Sequence, residues 1–88
     1  MAYRVIIKKK VLKNLSKMPL PVQRKLKMLI HDLELHGLYQ PAWPNYGKLS
    51  PEEHHCHLGY KWVACWRPRH GDMEIEVYYA GSREDAPY

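Results

Sequence analysis

The segment from His54 to Tyr79 constrains the fold most. It holds three short runs rich in β-branched and aromatic residues, about His54 to Leu58, Trp62 to Arg67 and Met73 to Tyr79, separated by Gly59-Tyr60 and by Pro68 to Asp72. Runs of this length bounded by turn residues read as strands of an antiparallel meander. Successive side chains on a strand point to opposite faces. A tight turn at Gly59-Tyr60 sets Leu58 opposite Lys61 and sorts the faces. Cys56, Leu58, Val63 and Cys65 then share an apolar face with Ile75, Val77 and Tyr79. His55, His57, Trp62, Ala64 and Trp66 share the other with Glu74, Glu76 and Tyr78. The first face needs cover, and the second presents imidazoles, indoles and a phenol to a partner.

The cover is predicted from the first half of the chain. Tyr3 to Ile7 has the composition of a strand. Val11, Leu15 and Met18 then recur at helical spacing until Met18-Pro19-Leu20-Pro21 breaks the run. Pro21 suits the first turn of a second helix, Val22, Leu26, Leu29, Ile30 and Leu33 form its apolar stripe, and Gly37 is its stop. Leu38 to Lys48, with two prolines, Asn45 and Gly47, reads as a loop whose rings pack down on the fold. The expected architecture is α+β in the order βααβββ: a helical hairpin packed on a small antiparallel-dominated sheet, one domain over 1–88.

Charge is distributed unevenly. Arg4, Lys8, Lys9, Lys10, Lys13, Lys17, Arg24, Lys25 and Lys27 all precede Asp32, the first acid, whereas the rest of the chain has five cations and nine acids. Such a sector attracts polyanions, nucleic acid first among them, and equally serves as a solvated, solubilising surface. Two cysteines without a repeated spacing, no apolar run of spanning length, and a start that passes directly into a strand predict a cytoplasmic protein without membrane span, signal peptide or disulfide scaffold.

The chemistry lies in the last 35 residues. His55 and His57, two apart on a strand, project the same way at roughly 6.6 Å spacing, close enough to act on one phosphate. Cleaving RNA without a metal requires a base for the 2′-hydroxyl, an acid for the leaving 5′-oxygen and cations for the transition-state charge; histidines supply both proton transfers near neutral pH. Two histidines on an exposed strand are equally compatible with plain surface decoration. A zinc site is disfavoured because Cys56 points away from His55 and His57 and no second spaced ligand pair exists, so no metal or other cofactor is expected. Cys56 and Cys65 read as small core residues. Trp62 is the better base-stacking candidate, while Trp66 packs under the loop. Arg83, after Gly81-Ser82, suits two-point phosphate binding, and Pro87 stiffens the approach of Tyr88.

The order of strand, basic helical hairpin and three-stranded sheet, with His55-Cys56-His57, Val63-Ala64-Cys65-Trp66 and the ending Gly81-Ser82-Arg83-Glu84-Asp85-Ala86-Pro87-Tyr88, resembles the RelE/ParE superfamily of bacterial toxins, more closely its RelE/HigB-type branch. The resemblance implies an endoribonuclease that cuts mRNA in the ribosomal A site and is neutralised by a cognate antitoxin. It implies catalytic roles for His55, His57, Arg83 and Tyr88. Lys61, Trp62 and Tyr78 would bind substrate, and Lys9, Lys10, Lys13, Lys17, Arg24 and Lys25 would bind the ribosome through 16S rRNA. In relatives the third strand carries an arginine where this chain holds Trp62 beside Lys61. Two alternatives share the features: a ParE-like gyrase inhibitor without catalysis, and a stand-alone RNA-binding module.

Overall fold

A computed structural model describes residues 2–71 and 73–88; Met1 at the start and Asp72 in the second turn lie outside the described residues. The elements are β1 (Arg4–Ile7), α1 (Lys9–Asn14), α2 (Leu20–His36), β2 (Gly47–Lys48), β3 (His54–Gly59), β4 (Trp62–Arg69) and β5 (Glu74–Ser82), with a 3₁₀ turn at Leu15–Lys17. One five-stranded sheet has the order β1-β5-β4-β3-β2, with β1 parallel to β5 and the other pairs antiparallel. This is the expected α+β architecture, enlarged by the two-residue β2 inside the segment read as loop.

Both helices cover one sheet face. Val11 on α1, Met18, and Val22, Leu26, Leu29 and Leu33 on α2 are buried at helical spacing against Cys56, Leu58, Ala64, Trp66, Ile75, Val77 and Ala80. Pro21 lies in the first turn of α2, where its missing N–H costs nothing. Gly37 caps the helix at φ 86°, and a Cβ there would come within 2.7 Å of the Tyr3 ring, so glycine serves both the positive-φ turn and the close approach of that ring.

The facing of β4 is the main correction. The hairpin pairs Gly59 with Trp62 and His57 with Val63, leaving Tyr60-Lys61 as the turn and Leu58 in a bulge. The pairing is therefore slipped by one residue from the expected Leu58–Lys61 register, and a one-residue slip sends every side chain of a strand to the other face. Ala64 and Trp66, expected beside the histidines, lie in the core. Trp62 packs at the core's edge on the helix side, and Val63 and Cys65 lie on the histidine face, fully buried. A second bulge between Cys65 and Trp66 pairs Tyr79 with Cys65, removing Tyr79 from the apolar set where Ile75 and Val77 remain. β4 also continues through Pro68 to Arg69. Past Trp66 it has no β3 partner, and a proline is tolerated along such a free edge.

The loop between α2 and β2 is fastened by side chains. Trp66 Nε1 donates to the Leu38 carbonyl at 2.8 Å, Trp43 Nε1 to Asp32 at 2.8 Å, and buried Gln40 to the Gly37 carbonyl at 2.8 Å. The rings of Tyr46, His54 and Trp66 form one cluster with centroids 5.9, 6.0 and 6.1 Å apart, and His54 Nδ1 is 2.7 Å from the Tyr46 hydroxyl. His54 is thus a core residue, and burial lowers its pKa.

Candidate active site

The side chains of β3 alternate: His54, Cys56 and Leu58 are buried under the helices, while His55 and His57 project half-exposed from the opposite face. Their ring centroids are 6.3 Å apart. His55 Nδ1 lies 3.0 Å from the Gly47 carbonyl oxygen on β2. A carbonyl only accepts, so Nδ1 carries the hydrogen and Nε2 is left for a substrate. Gly47 makes the approach possible, since a Cβ there would stand 3.2 Å from the His55 ring. The loop docks beside this strand through a 2.8 Å bond from the His57 amide to the Pro44 carbonyl.

The tail brings two more candidates to the histidines. β5 extends through Ser82 and its end is tied to the hairpin by a 2.7 Å bond from the Arg83 amide to the Lys61 carbonyl. Gly81 does not turn the chain; it is buried within the strand, where a Cβ would stand 2.9 Å from the Tyr79 hydroxyl. The turn is made after it, by Ser82 Oγ accepting from the Asp85 amide at 3.3 Å and donating to the Asp85 carboxylate at 3.1 Å. The chain then returns so that the Tyr88 ring lies 5.2 Å from His55.

His55, His57, Arg83 and Tyr88 therefore converge. Burial, then the neighbouring His55 and Arg83, lower the pKa of His57, which favours its neutral, proton-accepting form. Burial raises the pKa of Tyr88 against the opposing pull of Arg83, so its phenol retains the proton. A cleft of about 340 Å³ opens at His57, lined also by Arg83, Tyr60, Asn45 and Lys25. Lys25 thus reaches the site, a position its helical spacing gave no reason to separate from the other basic residues. Tyr60 and Asn45, read from sequence as turn residues, were not expected there; an exposed aromatic beside the Lys61 cation was the available signal.

The other candidates are dispersed. Lys61 and Trp62 line a neighbouring groove with Arg83, but Trp62 faces the helix side of the sheet and not the histidines. Tyr78 packs under the Arg67 guanidinium, 4.4 Å from its ring centroid, and burial raises its pKa. Arg67 in turn bonds Glu76 at 3.0 Å, which makes Tyr78 part of a polar network on β4 and β5. Lys9, Lys10, Lys13, Lys17, Arg24 and Lys25 are all exposed, and among the described residues none of them forms an ion pair. His54 and Cys56 face away from His55 and His57, and no group of three or more acidic, histidine or cysteine side chains converges for a metal among the described residues. Burial pushes both thiols up to about 12. No helix among the described residues is long and apolar enough to cross a membrane.

Comparison with protein-family models finds no match, and comparison with curated proteins finds none either. Solved structures do match. The archaeal RelE-RelB complex from Pyrococcus horikoshii OT3 aligns with TM-score 0.69 at 22% identity, covering 98% of this chain and 100% of that one. The isolated E. coli RelE toxin aligns with TM-score 0.71 at 17% identity, covering 98% of this chain and 89% of that one. Over nearly its whole length, this chain has the RelE-like fold.

Proposed function

We propose that the chain is the toxin of a toxin-antitoxin pair, an endoribonuclease that cuts mRNA in the ribosomal A site of the cytoplasm without a metal. The convergence of His55, His57, Arg83 and Tyr88 on one rim carries the reading. His57, held toward its neutral form, takes the proton of the 2′-hydroxyl. The 2′-oxygen attacks phosphorus, the bond to the 5′-oxygen breaks, and His55 is the second proton-transfer group, serving the departing oxygen. The products are a 2′,3′-cyclic phosphate and a 5′-hydroxyl. Arg83 holds the phosphate by two parallel hydrogen bonds, and Tyr88, keeping its proton, donates a hydrogen bond to the same group. Lys61 and Trp62, which line the groove beside Arg83, extend the substrate surface. Lys9, Lys10, Lys13, Lys17, Arg24 and Lys25 meet 16S rRNA through non-specific phosphate contacts. The fold shared with a RelE found in a RelE-RelB complex supports a cognate antitoxin as protein partner.

End-group analysis of mRNA recovered from programmed ribosomes tests the chemistry. Cyclic phosphate and 5′-hydroxyl ends agree with attack by the 2′-oxygen, whereas 5′-phosphate ends contradict it. Intact mRNA together with inhibited DNA supercoiling would transfer the chain to the ParE-like reading.

A further inference from the structure

The hairpin at the end of β3 and β4 carries a side chain that the catalytic reading leaves unused. Pairing of Gly59 with Trp62 makes Tyr60 and Lys61 the two turn residues, and Tyr60 is 83% exposed. Its ring stabilises no core, although a tyrosine offers a large rigid face for contact. The hairpin is also a fixed platform, because the Arg83 amide bonds the Lys61 carbonyl at 2.7 Å.

Tyr60 and Arg83 belong to two adjoining grooves of different character. The one at His57 has Lys25 and Arg83 in its lining and no carboxylate, which suits a phosphate. The other, about 360 Å³, lies at the small end of ligand-pocket sizes. Tyr60 and Trp62 supply its aromatic surface, and Lys61 and Arg83 are offset by Glu84. Ser82 and Glu84 add hydrogen-bonding groups beside these rings. Two rings, a carboxylate that would repel a second phosphate and a few directional polar groups fit a flat neutral heterocycle better. Single-stranded RNA is bound in this manner, with unstacked bases laid on aromatic side chains next to cations that hold the backbone.

We propose that the groove between Tyr60 and Trp62 is a nucleobase subsite, in which Tyr60 stacks on a base adjoining the phosphate held by Arg83. The subsite rests on the ribonuclease reading for the identity of that phosphate. Tyr60 is a binding residue for single-stranded RNA and takes no part in proton transfer.

Fluorescence anisotropy with a labelled short single-stranded RNA, made uncleavable by one 2′-deoxy sugar at the cut, tests it on the whole chain. Tyr60→Ala should weaken binding by roughly 5- to 150-fold, the loss of one stacked base. Tyr60→Phe should bind within about two-fold of the parent, since the ring is retained. Both should unfold at the parent's temperature, because the side chain is exposed. Parent-like binding by Tyr60→Ala, an equal loss in Tyr60→Phe, or no binding by the parent would each overturn the subsite. Tyr60-dependent binding by a protein that leaves ribosome-bound mRNA intact would uphold the subsite and remove the ribonuclease reading.

Discussion

At the scale of single residues, the account depends on environments that set His57 and Tyr88 to opposite tasks. The pKa of His57 lies below the ordinary imidazole value through burial, His55 and Arg83, so at neutral pH its base form dominates. The acidic limb of the rate profile should accordingly fall below the ordinary histidine range of about 6.5. Arg83→Gln removes one of the cations that oppose protonation, so that limb should move to higher pH as the maximum rate drops; single-turnover cleavage across pH 5 to 8 reads both effects. Arg83→Lys should also slow cleavage despite its retained charge, because an ammonium cannot reproduce the two-point contact. Deleting Tyr88, more than half exposed at the end of the chain, should depress cleavage with little change in unfolding temperature. Full toxicity in both tail variants would remove Arg83 and Tyr88 from the mechanism. The proximity of His55 to His57 was legible because a period of two requires it. The return of Tyr88 to His55 was only partly legible: Pro87 was visible, but the Ser82–Asp85 turn that aims the tail depends on hydrogen-bond geometry that composition does not specify.

At the scale of elements, α1 and the start of α2 should bind and not catalyse. Reversing Lys9, Lys10 and Lys13 to Glu should weaken ribosome association and flatten its salt dependence, since each lost phosphate contact removes released counterions. Unfolding temperature should hardly move, and an unchanged salt slope would reduce these lysines to solubility. β4 behaves oppositely, because its slipped register carries Trp66 into the core at 0% exposure, so Trp66→Ala should cost about 3–5 kcal/mol in urea unfolding. The helices and strands were readable from apolar spacing at Val22, Leu26, Leu29 and Leu33 and from the glycine stop at Gly37. The β4 facing was not, because Gly59-Tyr60 and Tyr60-Lys61 are both credible turns and only packing around the Leu58 bulge decides between them. The same slip explains why Val63 and Cys65 were assigned to the wrong face while His55 and His57 were not: the error begins at the hairpin and propagates only into the strand beyond it.

At the scale of the whole molecule, one face of the sheet is packed under the helices and the other bears the proposed site, and His54 belongs to the first. Its ring is buried in a cluster with Tyr46 and Trp66, and burial, then the Lys48 charge, disfavours protonation in the folded state. The folded pKa is lowered, hence the unfolded chain binds more protons and stability is lost as pH falls through the unfolded value near 6.5, levelling off below the folded one. The melting temperature should decline from pH 7 to pH 5, and His54→Gln should flatten that slope; an unaltered slope would exclude His54 as a source. The opposite face bears the central claim, that paired histidines on β3 cut RNA. Primer extension on ribosomes programmed with a defined mRNA should reveal cleavage by the parent and none by a folded His55→Ala, His57→Ala double variant, since losing even one proton-transfer group costs about 10²–10⁴-fold. Undiminished cutting by that folded double variant would contradict the account.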